Sequence, residues 1–228
     1  NITYSLVKKD YEDIRKKINK TYKITFFITL PMVVGLSFLA KPVWQVFYGA
    51  SKYGPQVFKF SVFIAFVTVG LSLCTTILLT LKEYKVLFTN LLIGLAINAA
   101  MDVPFIYLFN NLGLPPYYGA IAATILGNAV SIIIVITFLY KKYNIDFFKQ
   151  YKVFLKIILA VLTMILALTG LTYIVPLTAG RITSVFIIAL YAVIGALIYF
   201  LFTYKTNTIE EVFEKDMVKF IKKKLKKS

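Results

Sequence analysis

The sequence has no histidine and a single cysteine, Cys74, and its charged residues make up only 16% of 228 positions. One cysteine builds no disulfide framework, and the common zinc sites need several His or Cys ligands. Acidic residues are scarce as well, since 10 Asp and Glu stand against 26 Lys and Arg. They cluster only at 10–13 and 210–216, in patterns typical of solvated helix faces. We therefore predict no catalytic residue, no metal site and no cofactor.

Apolar residues are abundant instead, at 59% of the chain with a mean hydropathy of +0.78. A helix rises ~1.5 Å per residue, so about 20 apolar residues cross a hydrocarbon core of ~30 Å. The sequence predicts an all-α fold, a polytopic membrane helix bundle with six transmembrane helices and amphipathic cytoplasmic helices at both ends. The predicted spans are 24–39, 57–81, 86–110, 119–140, 153–175 and 182–204.

The basic residues lie between the spans and at the two ends of the chain. This is not the basic groove with interleaved aromatics that nucleic acid requires, so we predict no nucleic-acid partner. Of the 26 Lys and Arg, 22 fall on one side if both ends of the segment are cytoplasmic. Cytoplasmic loops carry an excess of Lys and Arg. We predict a multi-pass protein of the cell (cytoplasmic) membrane, with both ends of this segment in the cytoplasm.

The polar segments divide the chain into five predicted parts. Residues 1–23 form an amphipathic cytoplasmic connector helix, on the membrane surface or as a solvated connector, because apolar residues recur at helical spacing. Residues 24–140 hold four transmembrane helices, 141–152 a basic cytoplasmic connector, and 153–204 two additional transmembrane helices. Residues 205–228 form a basic amphipathic cytoplasmic tail on an anionic leaflet, and its basic residues at the membrane surface are Lys222, Lys223, Lys224, Lys226 and Lys227.

The third span contains a single charged residue, Asp102. A carboxylate in a membrane span costs about 2.5–3.5 kcal/mol or more, so it usually faces protein or water rather than lipid. Asn98 lies four residues earlier on the same helix face. This pattern predicts either a cavity wall or ion-coupling site, or an interhelical hydrogen bond that orders packing.

The fourth span begins with small residues at three- and four-residue spacing, which favours close approach to another helix. Thr124 and Asn128 add polar groups to this region. Pro31, Gly35 and Pro104 are candidate flex points, since Pro and Gly commonly bend helices, although such bends also occur in static bundles.

Three stretches carry a family resemblance: TYKITFFITLPMVVGLSFLAKPVWQVFYG, LLTLKEYKV and NLGLPPYYGAIAATILGN. Together they resemble the C-terminal half of the multidrug/oligosaccharidyl-lipid/polysaccharide (MOP) exporter superfamily. Within it they are most similar to the polysaccharide biosynthesis branch that contains the stage V sporulation protein B-like and MurJ-like proteins.

The resemblance implies a fourteen-helix transporter in which two six-helix lobes flank a cavity and two extra helices follow. This chain would supply four helices of the second lobe and the extra pair, with the N-terminal transporter lobe missing. Relatives move undecaprenyl-diphosphate-linked sugars, such as the peptidoglycan precursor lipid II, by alternating access. The implied partners are membrane lipid, a lipid-linked oligosaccharide substrate and a coupling ion.

In such a flippase Asn98, Asp102, Thr124 and Asn128 would line part of the headgroup path, and spans five and six would border a groove for the lipid tail. A cation-coupled multidrug exporter of the same superfamily is the first alternative, which Asp102 favours. A membrane glycosyltransferase or phosphatase is opposed by the lack of histidine and of paired acids. A non-catalytic membrane scaffold is the remaining alternative.

Overall fold

Every regular element in the computed structural model is a helix, over the residues that it describes: 4–5, 8, 10–177 and 180–213. In chain order the elements are α1 Tyr11–Phe38, α2 Ala40–Tyr48, α3 Gly54–Thr80, α4 Tyr84–Asn111, α5 Tyr117–Tyr143, a 3-10 turn Phe148–Gln150, α6 Tyr151–Leu171, α7 Arg181–Lys205 and α8 Thr208–Phe213. The predicted all-α class is confirmed.

Six helices in this part of the chain, α1 and α3 to α7, are long and apolar enough to cross a membrane. Each corresponds to one predicted span, so the prediction of six is confirmed. Their ends follow local chemistry: Gly113 turns the chain after α4 with a positive φ of 72°, and Asn144 ends α5 in the left-handed region at φ 53°.

The connector and the first span form one uninterrupted helix, α1. Ile14 and Ile18 of the predicted apolar face are buried at 1% and 0% exposure. Glu12 and Asp13 occupy the first turn, where negative charge complements the helix dipole. The amphipathic pattern at the start of α1 therefore marks a packed helix face.

The chain divides into two compact units, and the boundary falls inside α1. Unit 1 comprises residues 1–19 and 52–147, and unit 2 comprises 20–51 and 148–228. The five-part division predicted from the sequence stays a prediction.

Unit 1 is built on α5, which packs against both α3 and α4. The buried side of α5 recurs every four residues, so it forms one continuous stripe on the helix. Its members are Gly119, Ala123, Gly127, Ser131, Val135 and Leu139.

Unit 2 packs α6 and α7 with α2, α8 and the later part of α1. Tyr199 is 2% exposed, and its hydroxyl donates to the Phe27 carbonyl at 2.8 Å, which ties α7 to α1. Val212 of α8 is fully buried, and Lys156 Nζ donates to Glu211 Oε1 at 2.6 Å. The rest of the tail, 214–228, lies outside the described residues, and with it the five predicted membrane-surface lysines.

Candidate functional site

Helices α4 and α5 approach each other closely because glycines replace side chains at their contact. A Cβ placed on Gly127 would lie 2.8 Å from the Gly94 carbonyl oxygen and 3.1 Å from Asn98 Cβ. A Cβ on Gly119 would lie 2.5 Å from the Phe105 carbonyl oxygen. Such distances leave no room for a methyl group, so the backbones themselves are in contact.

These contacts also fix the register of the two antiparallel helices. Gly127 lies beside Asn98 and Gly119 lies beside Phe105, so each step forward along α4 matches a step backward along α5. Asp102 is therefore level with Ala122 and Ala123, one residue from Thr124, and Asn98 is level with Gly127, one residue from Asn128. The structure brings the four residues predicted from sequence onto two adjacent levels of one helix pair.

We call Asn98, Asp102, Thr124 and Asn128 the polar seam. All four side chains are half-buried, whereas neighbouring positions such as Leu95 and Val103 are 68% and 59% exposed. The seam residues of α4 therefore lie next to its packed face. Asp102 is not on the outward face, where a carboxylate would be costly in lipid.

The polar groups of the seam have different partners. Thr124 Oγ1 donates to the Ala120 carbonyl at 3.0 Å, and Asn128 Nδ2 donates to Thr68 Oγ1 of α3 at 3.4 Å. The Asp102 carboxylate makes no ion pair or hydrogen bond with any residue that the structure describes. Its oxygens therefore remain available to water, a cation or a substrate group.

Pro104 adds a backbone acceptor close to Asp102. Proline has no N–H, so the carbonyl of Ala100 loses its partner within α4. Pro104 is exposed and lies one residue before Phe105, whose carbonyl contacts Gly119. Helix α4 thus lacks one internal hydrogen bond beside its close contact with Gly119, as expected of a flex point, and bending at Pro104 stays a prediction.

Unit 2 contains an apolar groove with a volume of about 420 Å³, between α1, α6 and α7. The predicted flex points Pro31 and Gly35 lie in its wall on α1, opposite Gly195 and Ala196 on α7 and Leu168 on α6.

Two tyrosines in the groove wall donate their hydroxyl hydrogens to backbone carbonyls. Tyr199 donates to the Phe27 carbonyl, and Tyr191 donates to the Val175 carbonyl at 2.6 Å. Because these hydroxyls are satisfied by backbone, the rings present carbon to the groove. The groove therefore suits a hydrocarbon chain and offers little to a polar ligand.

Two parts of these surfaces were not predicted from the sequence. Spans five and six alone were expected to border a groove for the lipid tail, whereas helix α1 also lines the apolar groove of unit 2. Helix α3, whose Thr68 accepts a hydrogen bond from Asn128, was not expected to contribute. The repeat of Thr68, Ser72 and Thr76 at four-residue spacing is a signal that would have found this helix.

Six helices that are long and apolar enough to cross a membrane define the class of this protein, a multi-pass α-helical membrane protein. A family model described as lipid II flippase MurJ matches residues 1–193. The chain belongs to this family, within the MOP superfamily branch that the sequence resemblance indicated.

Two known proteins document the relationship. The lipid II flippase MurJ of Bacillus subtilis (strain 168) is 25% identical over 234 residues, which are 97% of this chain and 41% of that protein. A solved structure of lipid II flippase MurJ in an inward closed conformation matches 95% of this chain and 42% of its own, with a TM-score of 0.63 and 22% identity. The structural match shows the shared fold. This chain spans about two fifths of the curated relative.

Proposed function

We propose that this chain forms part of a flippase that moves undecaprenyl-diphosphate-linked sugars, such as lipid II, across the cytoplasmic membrane by alternating access. A lipid-linked sugar needs a hydrated route for its headgroup and an apolar surface for its polyprenyl chain. The observation that carries the proposal is that one chain holds both kinds of surface, the polar seam of unit 1 and the apolar groove of unit 2. Membership of the MurJ family supports the same substrate class.

Within this proposal the polar seam lines part of the headgroup path, and Asp102 is the coupling residue. Carboxylate, amide and hydroxyl oxygens are the ligands that hard cations prefer, and the seam supplies all three at adjacent levels. A coupling ion bound there would bias the α4–α5 contact beside Pro104. Pro31 and Gly35 serve as flex points in the wall of the groove.

The proposed location is the cytoplasmic membrane, with both ends of the segment on the cytoplasmic side and the basic residues of the tail on anionic lipid. The charge distribution supports this orientation, since 22 of the 26 Lys and Arg fall on one side of six crossings. The N-terminal transporter lobe, membrane lipid and the lipid-linked oligosaccharide are the proposed partners. No step in this function makes or breaks a covalent bond.

The test is a flipping assay with the intact protein in liposomes. Lipid II is placed in one leaflet, and its arrival in the other is read by its accessibility to an impermeant enzyme or probe. We expect flipping to require the protein and to fall when Asp102 is replaced. Absence of lipid II flipping by a folded, membrane-inserted preparation would refute the proposal.

Asp102 also favours a second function, a cation-coupled multidrug exporter. Such a protein requires an acid in an otherwise apolar region, and Asp102 is the one charged residue in the middle of α4. The same liposomes loaded with a cationic dye separate the two functions. Dye efflux without lipid II flipping would favour the exporter.

A further inference from the structure

One face of α3 carries hydroxyl groups through the middle of the helix. Ala65, Thr68, Ser72 and Thr76 are exposed and recur at three- and four-residue spacing, so they share one side. The opposite side, which includes Leu78 at 0% exposure, is buried. We call the exposed set the hydroxyl face.

The hydroxyl face differs from the exposed faces of α6 and α7. Near their middles those helices expose aliphatic side chains, with Leu162 at 54%, Val193 at 59% and Leu197 at 57%. Aliphatic faces are what lipid solvates best, whereas a polar group in lipid must find a partner within the protein.

The hydrogen bonds of the hydroxyl face leave polar capacity unused. Thr76 Oγ1 donates to the Ser72 carbonyl at 2.8 Å, which would also satisfy a threonine in lipid. Thr68 Oγ1 accepts from Asn128, so its own proton is free to be donated to another group. The Ser72 hydroxyl makes no hydrogen bond within the part of the chain that the structure describes. Water or a polar ligand is therefore the expected neighbour of this face.

The hydroxyl face is continuous with the polar seam. Helices α3 and α5 run parallel, because Gln56 bonds to Tyr117, Thr68 bonds to Asn128, and Gly70 lies beside Ile132. Thr68 is therefore level with the seam. Ser72 and Thr76 extend the polar surface by two further turns toward the lysine-rich hairpin after α3.

We propose that the hydroxyl face is a sugar-binding surface of the transport path, on which Thr68, Ser72 and Thr76 hydrogen-bond the hydroxyl groups of the substrate's sugars. This inference rests on the proposed flippase function. Uncharged hydroxyls both donate and accept, as sugar hydroxyls do, and they carry no charge that would favour a diphosphate or a cation over a sugar. The face thus selects the carbohydrate part of the headgroup.

Hydration of the face is tested first, in the intact protein with Cys74→Ala so that no native thiol remains. Single cysteines replace Thr68, Ser72 or Thr76 and are treated with an impermeant methanethiosulfonate in inside-out vesicles. Val193→Cys and Leu197→Cys are the exposed aliphatic controls, and Leu78→Cys is the buried control on the same helix. The reagent needs the thiolate, which forms in water, so we expect the three sites to react about tenfold faster or more. Rates equal to those of Val193→Cys would overturn the proposal.

Sugar contact is tested second, with lipid II as the probe. We expect lipid II to slow labelling at Ser72→Cys and Thr76→Cys, while undecaprenyl diphosphate without sugar leaves the rates unchanged.

We also expect the shape-conserving variants Thr68→Val and Thr76→Val to raise the KM for lipid II severalfold with little change in kcat. Rapid labelling without protection by lipid II would overturn the sugar-binding role even if flipping continues. If the unsubstituted protein flips no lipid II, the flippase function itself is refuted and this role with it.

Discussion

At the scale of single residues, Asp102 is the one carboxylate within the α4–α5 helix pair. It is half-buried, one residue from the level of Thr124, and without an ion pair or hydrogen bond among the described residues. If Asp102 couples transport to an ion, its charge is required. If it only lines the headgroup path, a polar side chain without charge is sufficient. Asp102→Asn is expected to reduce the stimulation of flipping by an imposed H⁺ or Na⁺ gradient within the range of about 5–150-fold that coupling free energies span.

Asp102→Ala is expected to lower the flipping rate further, because it also removes a polar group from the path. Initial rates with and without each gradient, in liposomes of equal protein content, measure both effects. Asn110→Ala, at the exposed end of the same helix, is the control and should keep the gradient response. An unchanged gradient response in both Asp102 variants would exclude a coupling role for this acid.

Glu83, in the hairpin between α3 and α4, controls a pH-dependent contribution to stability. Its Oε1 accepts from Lys142 Nζ and from Tyr143 OH, each at 2.5 Å. Burial acts to raise the pKa of Glu83, but these hydrogen bonds and the Lys142 charge outweigh it and hold the pKa below its usual value. A depressed pKa means that the stabilisation is present at neutral pH and is lost as the pH falls through the folded-state value.

We expect Glu83→Gln to lower the free energy of unfolding by about 1 kcal/mol at pH 7, as for a charge-assisted hydrogen bond with partial access to water. The difference from the unsubstituted protein should shrink below about pH 4, where the unfolded carboxyl is protonated. Thermal unfolding of both proteins in detergent across this pH range measures the difference in free energy of unfolding. Glu12→Gln is the control, because its pair with Lys16 is exposed at 74% and 70% and should matter little. A difference that grows toward acid pH would contradict the assignment.

At the scale of helices, the α4–α5 contact depends on glycine. Gly119→Ala would place Cβ 2.5 Å from the Phe105 carbonyl, so the helices must separate. We expect a loss of about 1–3 kcal/mol, typical of overpacking. The melting temperature of the purified protein should fall accordingly. Gly170→Ala is the matched control, since nothing lies within 4 Å of its added Cβ, and a comparable loss there would show that the effect is not steric.

The sequence predicts the helices well but not their partners. Apolar runs and flanking lysines identify all six spans because burial in lipid depends on composition and length. Which glycine meets which backbone depends on register, so the contact of Gly127 with Gly94 is invisible in either helix alone. Likewise the amphipathic tail is predicted from its own residues, but its Glu211 binds Lys156, a partner 55 residues away in the sequence.

The candidate site shows the same limit. Asp102 and Asn98 stand out because polar residues are rare in spans, whereas the role of α1 in the groove follows from packing with α6 and α7. A threonine in a membrane span is a weak signal of function, because its hydroxyl can hydrogen-bond to a carbonyl of its own helix even in lipid. Which threonines lie on an exposed face follows only from the packing of the helices.

At the scale of the whole molecule, the distribution of charge predicts the orientation in which the chain crosses the membrane. Outside the lysine-rich side there are only Lys41, Lys52, Lys59 and Arg181. Because Lys and Arg near span ends are retained in the cytoplasm, this asymmetry predicts one orientation for all six crossings.

In a Cys74→Ala protein, Lys52→Cys should react with an impermeant maleimide in intact cells, and Lys141→Cys only after the membrane is opened. Both positions are exposed in the structure, so access to solvent does not differ between them. Labelling of Lys141→Cys in intact cells would reverse the orientation and would place the hydroxyl-bearing end of α3 on the outer side.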